Sequence, residues 1–337
     1  MEAARPCIAL VAGDPAGVGP EIIARLLADG SAAQRANIHL IGSRAALDEG
    51  MRIAGCRYLY DEGVPVRGRD LARPQLAKGP VIEDRDFERG AVSAKAGRHM
   101  LESLRFALGL HEAGIVDALC FAPLNKAALR AGGMDHPDEL HWFAETLGFT
   151  GTCVELNVVE GLWTSRVTSH VALSEVSALI TAEKVAEMVE LIHGSLRAAG
   201  LDAPRVAVCG LNPHNGDNGA YGREEIEKIA PGVELARARG FPADGPYPAD
   251  TIFVRATRKT GGYDGVVTMY HDQGQIAMKL MGFEHGVTVH GGLPLPITTP
   301  AHGTAFDIAG QGIAKDGAMK NAFALACRMG AARLVAA

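Results

Sequence analysis

Three histidines stand where apolar runs give way to polar turns: His170 after "RVTS", His214 in "GLNPHNGDNG" and His271 in "MYHDQG". They lie far apart in the chain and lack the local spacing of an HExxH motif, so position carries more weight than spacing. Imidazoles at the carboxyl ends of different strands can converge on one divalent metal, leave coordination positions open and form a Lewis-acid site. The competing reading of each is an ordinary polar residue with no ligand. Asp272 and Asp217 would then orient ring nitrogens, or else cap the helices that follow them.

The elements that must hold these residues alternate between short β-rich apolar runs and helical periodicity. Strands are expected over 7–12, 37–42, 117–122, 166–172, 205–211, 264–270 and 286–290. Helices are expected over 20–29, 92–114, 139–147, 181–198, 223–240, 274–281 and 316–336. That alternation is an α/β pattern with mostly parallel strands, a class whose ligands sit at the carboxyl strand ends. In the helix 181–198, Thr181 or Ser177 is the candidate N-cap, and Val185, Met188, Val189 and Ile192 form a core-facing stripe. The Pro- and Gly-rich stretch 63–80 reads as a surface excursion.

A chain of 337 residues is long enough for two lobes. Its net charge of −6 provides no basic footprint for nucleic acid or an anionic membrane. The six cysteines form no CxxC pair, which suits a reducing cytoplasm, and Cys7, Cys120 and Cys209 read as small buried thiols. No apolar run approaches the ~18 residues that span a bilayer, and no export signal is visible. The expected partner is a small molecule.

Seven blocks carry a resemblance: "GDPAGVGPEI" at 13–22, "APLNKAAL" at 122–129, "TSHVAL" at 168–173, "GLNPHNGDNGAYGREE" at 210–225, "GPYPADTIF" at 245–253, "YHDQGQIAMK" at 270–279 and "HGTAFDIAGQG" at 302–312. In this order they resemble the motif set of the 4-hydroxythreonine-4-phosphate dehydrogenase family. The last block is also similar to the nucleotide loop of isopropylmalate and isocitrate dehydrogenases. The resemblance implies a homodimer of two α/β/α lobes with a cleft between them. Residues 1–125 plus 283–337 would form the nucleotide-binding lobe, and 126–282 the metal, substrate and dimerisation lobe. It further implies NAD and a divalent metal, zinc or in some members magnesium, with His170, His214 and His271 as ligands and one of them supplied across the dimer interface. Lys126 and Asp250 match residues near the reacting carbon. Asp14, Gly17, Gly19 and Pro20 match an active-site loop that Asn125 and Asn212 help to hold. NAD falls to His302, Gly303, Ala305, Asp307 and Ile308, and the lack of a basic cluster beside Asp307 favours NAD over NADP. Gly13, Gly17 and Gly19 do not form the GxGxxG fingerprint.

The implied reaction is metal-dependent oxidation of a hydroxy acid followed by decarboxylation. Lys126 would protonate or stabilise the product of CO2 loss, and Asp250 would orient groups around it. The chain departs from the family at the substrate's phosphate. Where members have Gly-His-Thr-Glu, this chain has Asp138-Glu139-Leu140-His141, unless an insertion keeps His136 in register. The family's phosphate-contacting Asn and Arg fall at Thr288 and Ile297, while Lys279 is retained. Each lost charge-assisted contact is worth ~1.5–3 kcal/mol, so the expected substrate lacks phosphate. Terephthalate dihydrodiol dehydrogenases are relatives of that kind: Trp142, Leu140, Leu295 and Ile297 would line a ring pocket, with Lys279 or His141 at the distal carboxylate. The alternatives are a true 4-hydroxythreonine-4-phosphate or threonate/erythronate-4-phosphate dehydrogenase, and a non-catalytic ligand-binding regulator. Retention of the histidines, Lys126 and Asp250 speaks against the regulator.

Overall fold

The computed structural model describes residues 5–79 and 87–336. Its strands, in chain order, are β1 (Cys7–Val11), β2 (Asn37–Ile41), β3 (Asp61–Gly63), β4 (Gln75–Ala77) and β5 (Ala118–Phe121). Then come β6 (Val154–Val159), β7 (Leu162–Arg166), β8 (Val206–Cys209), β9 (Ala243–Tyr247), β10 (Gly265–Thr268), β11 (Val287–Gly291) and β12 (Ile297–Pro300). The chain divides into two compact units, Met1–Gly151 with Val287–Ala337, and Thr152–Gly286. The division therefore falls after 151 and not after 125. A Cβ on Gly97 would collide with the Ala128 carbonyl, so the helices Ala94–Glu112 and Lys126–Ala131 approach backbone to backbone and keep 126–151 with the first unit.

In the first unit the strand order is β3-β4-β2-β1-β5-β12-β11, parallel except for the antiparallel pair β11/β12. β1 is apolar on both faces, with Ile8, Ala9, Leu10 and Val11 buried, as a central parallel strand covered by helices requires. The stretch 63–80 is more than a surface excursion, because it contains β4, which is buried and pairs with β2. Trp142, Leu295 and Ile297 belong to the hydrophobic core of this unit, and Leu140 is buried as well. These four residues therefore line no ring pocket. Ile297 is wholly buried in a strand paired with β5, so its side chain offers no contact to a substrate.

In the second unit the order is β6-β7-β10-β8-β9. β6 and β7 form an antiparallel hairpin in which Val159 pairs with Leu162. Its two turn residues, Glu160 and Gly161, have φ of 49° and 88°, the left-handed pair that a tight hairpin demands. Without an Asn-Gly or Asp-Gly signal this hairpin was not expected. The strand expected over 166–172 instead ends at Arg166. Val167 and Thr168 still donate to the Thr268 and Met269 carbonyls, after which His170, at φ 47°, leaves extended geometry. The helix at 182–198 matches expectation: Thr181 Oγ1 accepts from Lys184 N–H at 3.2 Å, and Val185, Val189 and Ile192 are fully buried. The expected helix 223–240 is divided into a wide π turn, Glu225–Ile229, and the helix Ala230–Ala238. The expected helix 274–281 already begins at His271.

Candidate metal and nucleotide sites

β10 lies between β7 and β8 and is parallel to both, so the carboxyl ends of all three strands share one edge. His170, His271 and His214 follow β7, β10 and β8 respectively. The His170 and His271 rings stand 6.0 Å apart between centroids. They line a cavity of about 330 Å3 with Thr168, Leu173, Tyr270 and Asp272. His271 Nδ1–H donates to Asp272 Oδ1 at 2.7 Å, a bond that orients the ring. Two imidazoles at a strand edge suit a borderline divalent ion such as zinc. His214 is on the neighbouring turn, its ring 6.4 Å from that of Tyr221. Among the described residues no group of three His, Cys, Asp or Glu side chains gathers as a metal cage, so the fit is to two of the three expected ligands.

Buried Arg166 and half-buried Gln273 hold the neighbouring strand ends. Arg166 donates from Nε to Ser169 Oγ at 2.9 Å, from Nη1 to Asn157 Oδ1 at 3.0 Å and from Nη2 to Glu155 Oε2 at 3.2 Å, and so fixes the residue before His170. Gln273 accepts from Met269 N–H at 2.8 Å and donates to the Gly210 carbonyl at 3.0 Å, which ties the end of β10 to the end of β8. The His214 turn is unusual in its backbone. His214, Asn215, Gly216, Asp217 and Asn218 all have positive φ, between 41° and 78°. Left-handed geometry costs ~1–2 kcal/mol per ordinary L-residue, less for Asn and Asp. Asp217 serves that turn through its backbone carbonyl, which accepts from Ala220 N–H at 3.1 Å. Asn212, expected near the substrate, donates from Nδ2 to Glu224 at 2.7 Å and to Glu225 at 3.0 Å within the same loop. Asp250 is exposed in the first turn of the helix Ala249–Ala256, and Lys279 is exposed near the end of the helix His271–Gly282.

In the first unit, Asn125 is a helix N-cap whose Oδ1 accepts from Ala128 N–H at 2.9 Å, and Lys126 is the first residue of that helix. Lys126 Nζ lies 3.7 Å from the largely buried Glu139 Oε2. Asp138 caps the next helix by accepting from His141 N–H at 3.0 Å and from His141 Nδ1 at 2.6 Å. Burial would raise the Asp138 carboxyl, but these two bonds, together with the electrostatic pull of His141 and Lys126, hold its pKa below the ordinary value. The His136 ring meets Glu145. Thr288 is half-buried on β11, opposite Thr299.

The loop 13–20 packs on the loop 302–308. Val18 N–H donates to the Thr304 carbonyl at 3.0 Å, and a Cβ on Gly17 would stand 2.9 Å from Thr304. Asp14 is wholly buried: Oδ1 accepts from Ala16 N–H at 2.9 Å, while Oδ2 has no partner among the described residues. Burial pushes its carboxyl up to about 6. In the second loop, Ala305 takes φ 45°, Ile308 N–H donates to the Ala305 carbonyl at 3.1 Å, and His302 Nδ1–H donates to the Gly303 carbonyl at 3.0 Å. Asp307 is exposed, and nothing among the described residues stands within 4 Å of a Cβ placed on Gly303. A cavity of about 260 Å3 beside these loops is lined by Gly17, Glu21, Gly50, Arg89 and Gly310. Open backbone and a glycine-walled cavity fit part of a dinucleotide. Glu21, Arg166 and Glu225 were not singled out from the sequence. The signal for Glu225 was the acid pair that ends the "GREE" of its motif.

The family described as pyridoxal phosphate biosynthetic protein PdxA matches residues 34–326. A Pseudomonas aeruginosa protein, provisionally named 4-hydroxythreonine-4-phosphate dehydrogenase 2, is 57% identical, with 96% of this chain and 97% of that one covered. The D-threonate 4-phosphate dehydrogenase of Cupriavidus necator is 39% identical over 92% of this chain and 93% of its own. Among solved structures, a 4-hydroxythreonine-4-phosphate dehydrogenase from Burkholderia phymatum is similar at TM-score 0.81 and 36% identity, covering 97% of this chain and 98% of that one. A terephthalate 1,2-cis-dihydrodiol dehydrogenase from Burkholderia xenovorans is more distant, at TM-score 0.66 and 28% identity, covering 96% and 98%. With a family match over residues 34–326, a relative 57% identical along nearly the whole chain and a solved structure similar at TM-score 0.81, the chain belongs to the PdxA family of 4-hydroxythreonine-4-phosphate dehydrogenases.

Proposed function

We propose that this dehydrogenase oxidises the secondary alcohol of a 4-phosphorylated hydroxy acid, either 4-hydroxythreonine-4-phosphate or D-threonate/erythronate 4-phosphate, using NAD, and that the β-keto acid formed then loses CO2. The observation that carries this reading is the set of three histidines at the ends of three neighbouring parallel strands. It is supported by relatives with these names at 39% and 57% identity. His170, His214 and His271 would hold a divalent metal, zinc by the chemistry of the donors, and the loop of His302, Gly303, Ala305, Asp307 and Ile308 would hold NAD. The bound metal would supply Lewis acidity to the substrate's hydroxyl and to the ketone it becomes. Lys126, steadied by Glu139, delivers a proton to the carbon that loses CO2. Asp250 orients groups at that carbon, and Lys279 and Thr288 contact the far end of the substrate.

Exposed Leu173, in the wall of the His170 cavity, and exposed Ile276 and Leu280 support a homodimer that completes the metal site. Cysteines held as thiols among the described residues fit a cytoplasmic setting. A second reading, an unphosphorylated dihydrodiol carboxylate, is favoured by one observation: Asp138 and Glu139 place buried acid at the turn where phosphate-using members have Gly-His. NADH formation with added zinc would be followed on 4-phosphohydroxy-L-threonine, D-threonate 4-phosphate and terephthalate cis-dihydrodiol. Turnover of a phosphate ester is expected. Turnover of the diol alone would replace the first reading by the second.

A further inference from the structure

We infer that Glu225 is a positioning residue that sets the backbone of the His214 turn and thereby makes that histidine available to a divalent metal. The inference rests on the metal reading proposed above. Glu225 is 3% exposed, and its bonds run to the segment that leads into His214. Oε1 accepts from the N–H groups of Leu211 at 2.8 Å and Asn212 at 2.7 Å, and Oε2 accepts from Asn212 Nδ2 at 3.0 Å. A Cβ on Gly210 would stand 3.0 Å from Oε1, and one on Gly216 would stand 2.7 Å from Oε2. The carboxylate therefore sits against both ends of the segment that carries His214.

Three features separate this arrangement from ordinary packing. A buried carboxylate is an expensive core residue unless its charge is matched, and among the described residues the bonds that match it come from this loop's own N–H groups. Successive left-handed residues have no intrinsic stability in an L-chain, so contacts from outside the turn must hold His214 to Asn218 in place. The anchor is itself anchored: Asn212 Nδ2 also donates to Glu224 Oε2 at 2.7 Å, Glu224 meets Ser177 Oγ, and Lys228 Nζ donates to the Ser177 carbonyl at 2.7 Å. Removing the Glu225 carboxylate would strip the partners from two backbone N–H groups beside the histidine.

The test measures Co2+ affinity by titration of the full-length protein and the visible spectrum of the bound ion, in wild type, Glu225→Ala, Glu225→Gln, His214→Ala and the double variant His214→Ala/Glu225→Ala. NAD binding and circular dichroism report on the fold. Glu225→Ala is expected to weaken Co2+ roughly 10- to 100-fold and to alter the spectrum while NAD still binds. Glu225→Gln, which keeps an oxygen for the two N–H groups, loses less and stands in should the alanine variant not fold. The double variant is expected to match His214→Ala. Unchanged Co2+ affinity and spectrum in Glu225→Gln and Glu225→Ala, alongside a lowered melting temperature, would reduce Glu225 to a structural residue. If His214→Ala itself leaves Co2+ binding unchanged, the metal reading fails and this inference falls with it.

Discussion

Asp14 shows at the scale of one residue how a site departs from what stability alone would choose. Its carboxyl is raised to about 6 by burial, against an ordinary 3.8, so between those values the folded chain holds a proton that the unfolded chain releases. The sign follows: this residue's contribution to stability is most favourable below the ordinary carboxylate pKa and is lost as pH rises through about 6. Asp14→Asn keeps an oxygen for the Ala16 N–H and carries no charge. It is expected to match wild type in stability near pH 4 and to exceed it by as much as about 3 kcal/mol at pH 7, while turnover is lost if the loop serves the substrate. Urea unfolding at the two pH values and an NADH assay check both parts. Equal stability at pH 7 would mean that Oδ2 has a compensating partner.

The element scale explains why two glycine-bearing loops can meet. The turn after β1 and the loop after β12 approach so closely that Gly17 leaves no room for a methyl group against Thr304. Gly17→Ala must push the loops apart, and overpacking of this kind costs ~1–3 kcal/mol. NAD affinity is expected to fall about tenfold or more, with Co2+ binding at the second unit unchanged, by calorimetry on both ligands. Intact NAD affinity would mean that the loop 302–308 does not hold the cofactor. The same scale accounts for the errors in element prediction. Apolar alternation ran on through 166–172, but a run of side chains cannot reveal that the ladder partner β10 ends at Thr268, which leaves His170 in a turn.

At the scale of the whole molecule, exposed Leu173, Ile276 and Leu280 on the second unit are the residues that the proposed homodimer would cover. Leu280→Asp, made where the side chain is 84% exposed, is expected to leave the unit folded, shift the protein to monomer in sedimentation equilibrium and weaken Co2+ binding. A stable dimer with unchanged metal affinity would remove this helix from the interface. The chain by itself determined the α/β class, the family and the three histidines at strand ends, because β-rich runs, helical periodicity and motif order are local properties that survive without knowledge of packing. The tertiary structure alone decided that Ile297, Leu295, Trp142 and Leu140 are core and not pocket, since whether an apolar residue packs inward or faces a ligand depends on neighbours distant in sequence. It also decided that His170 and His271 are neighbours. Finally, it decided that Glu225 sits under the His214 turn, a contact that arises only when a π turn folds back on the end of β8.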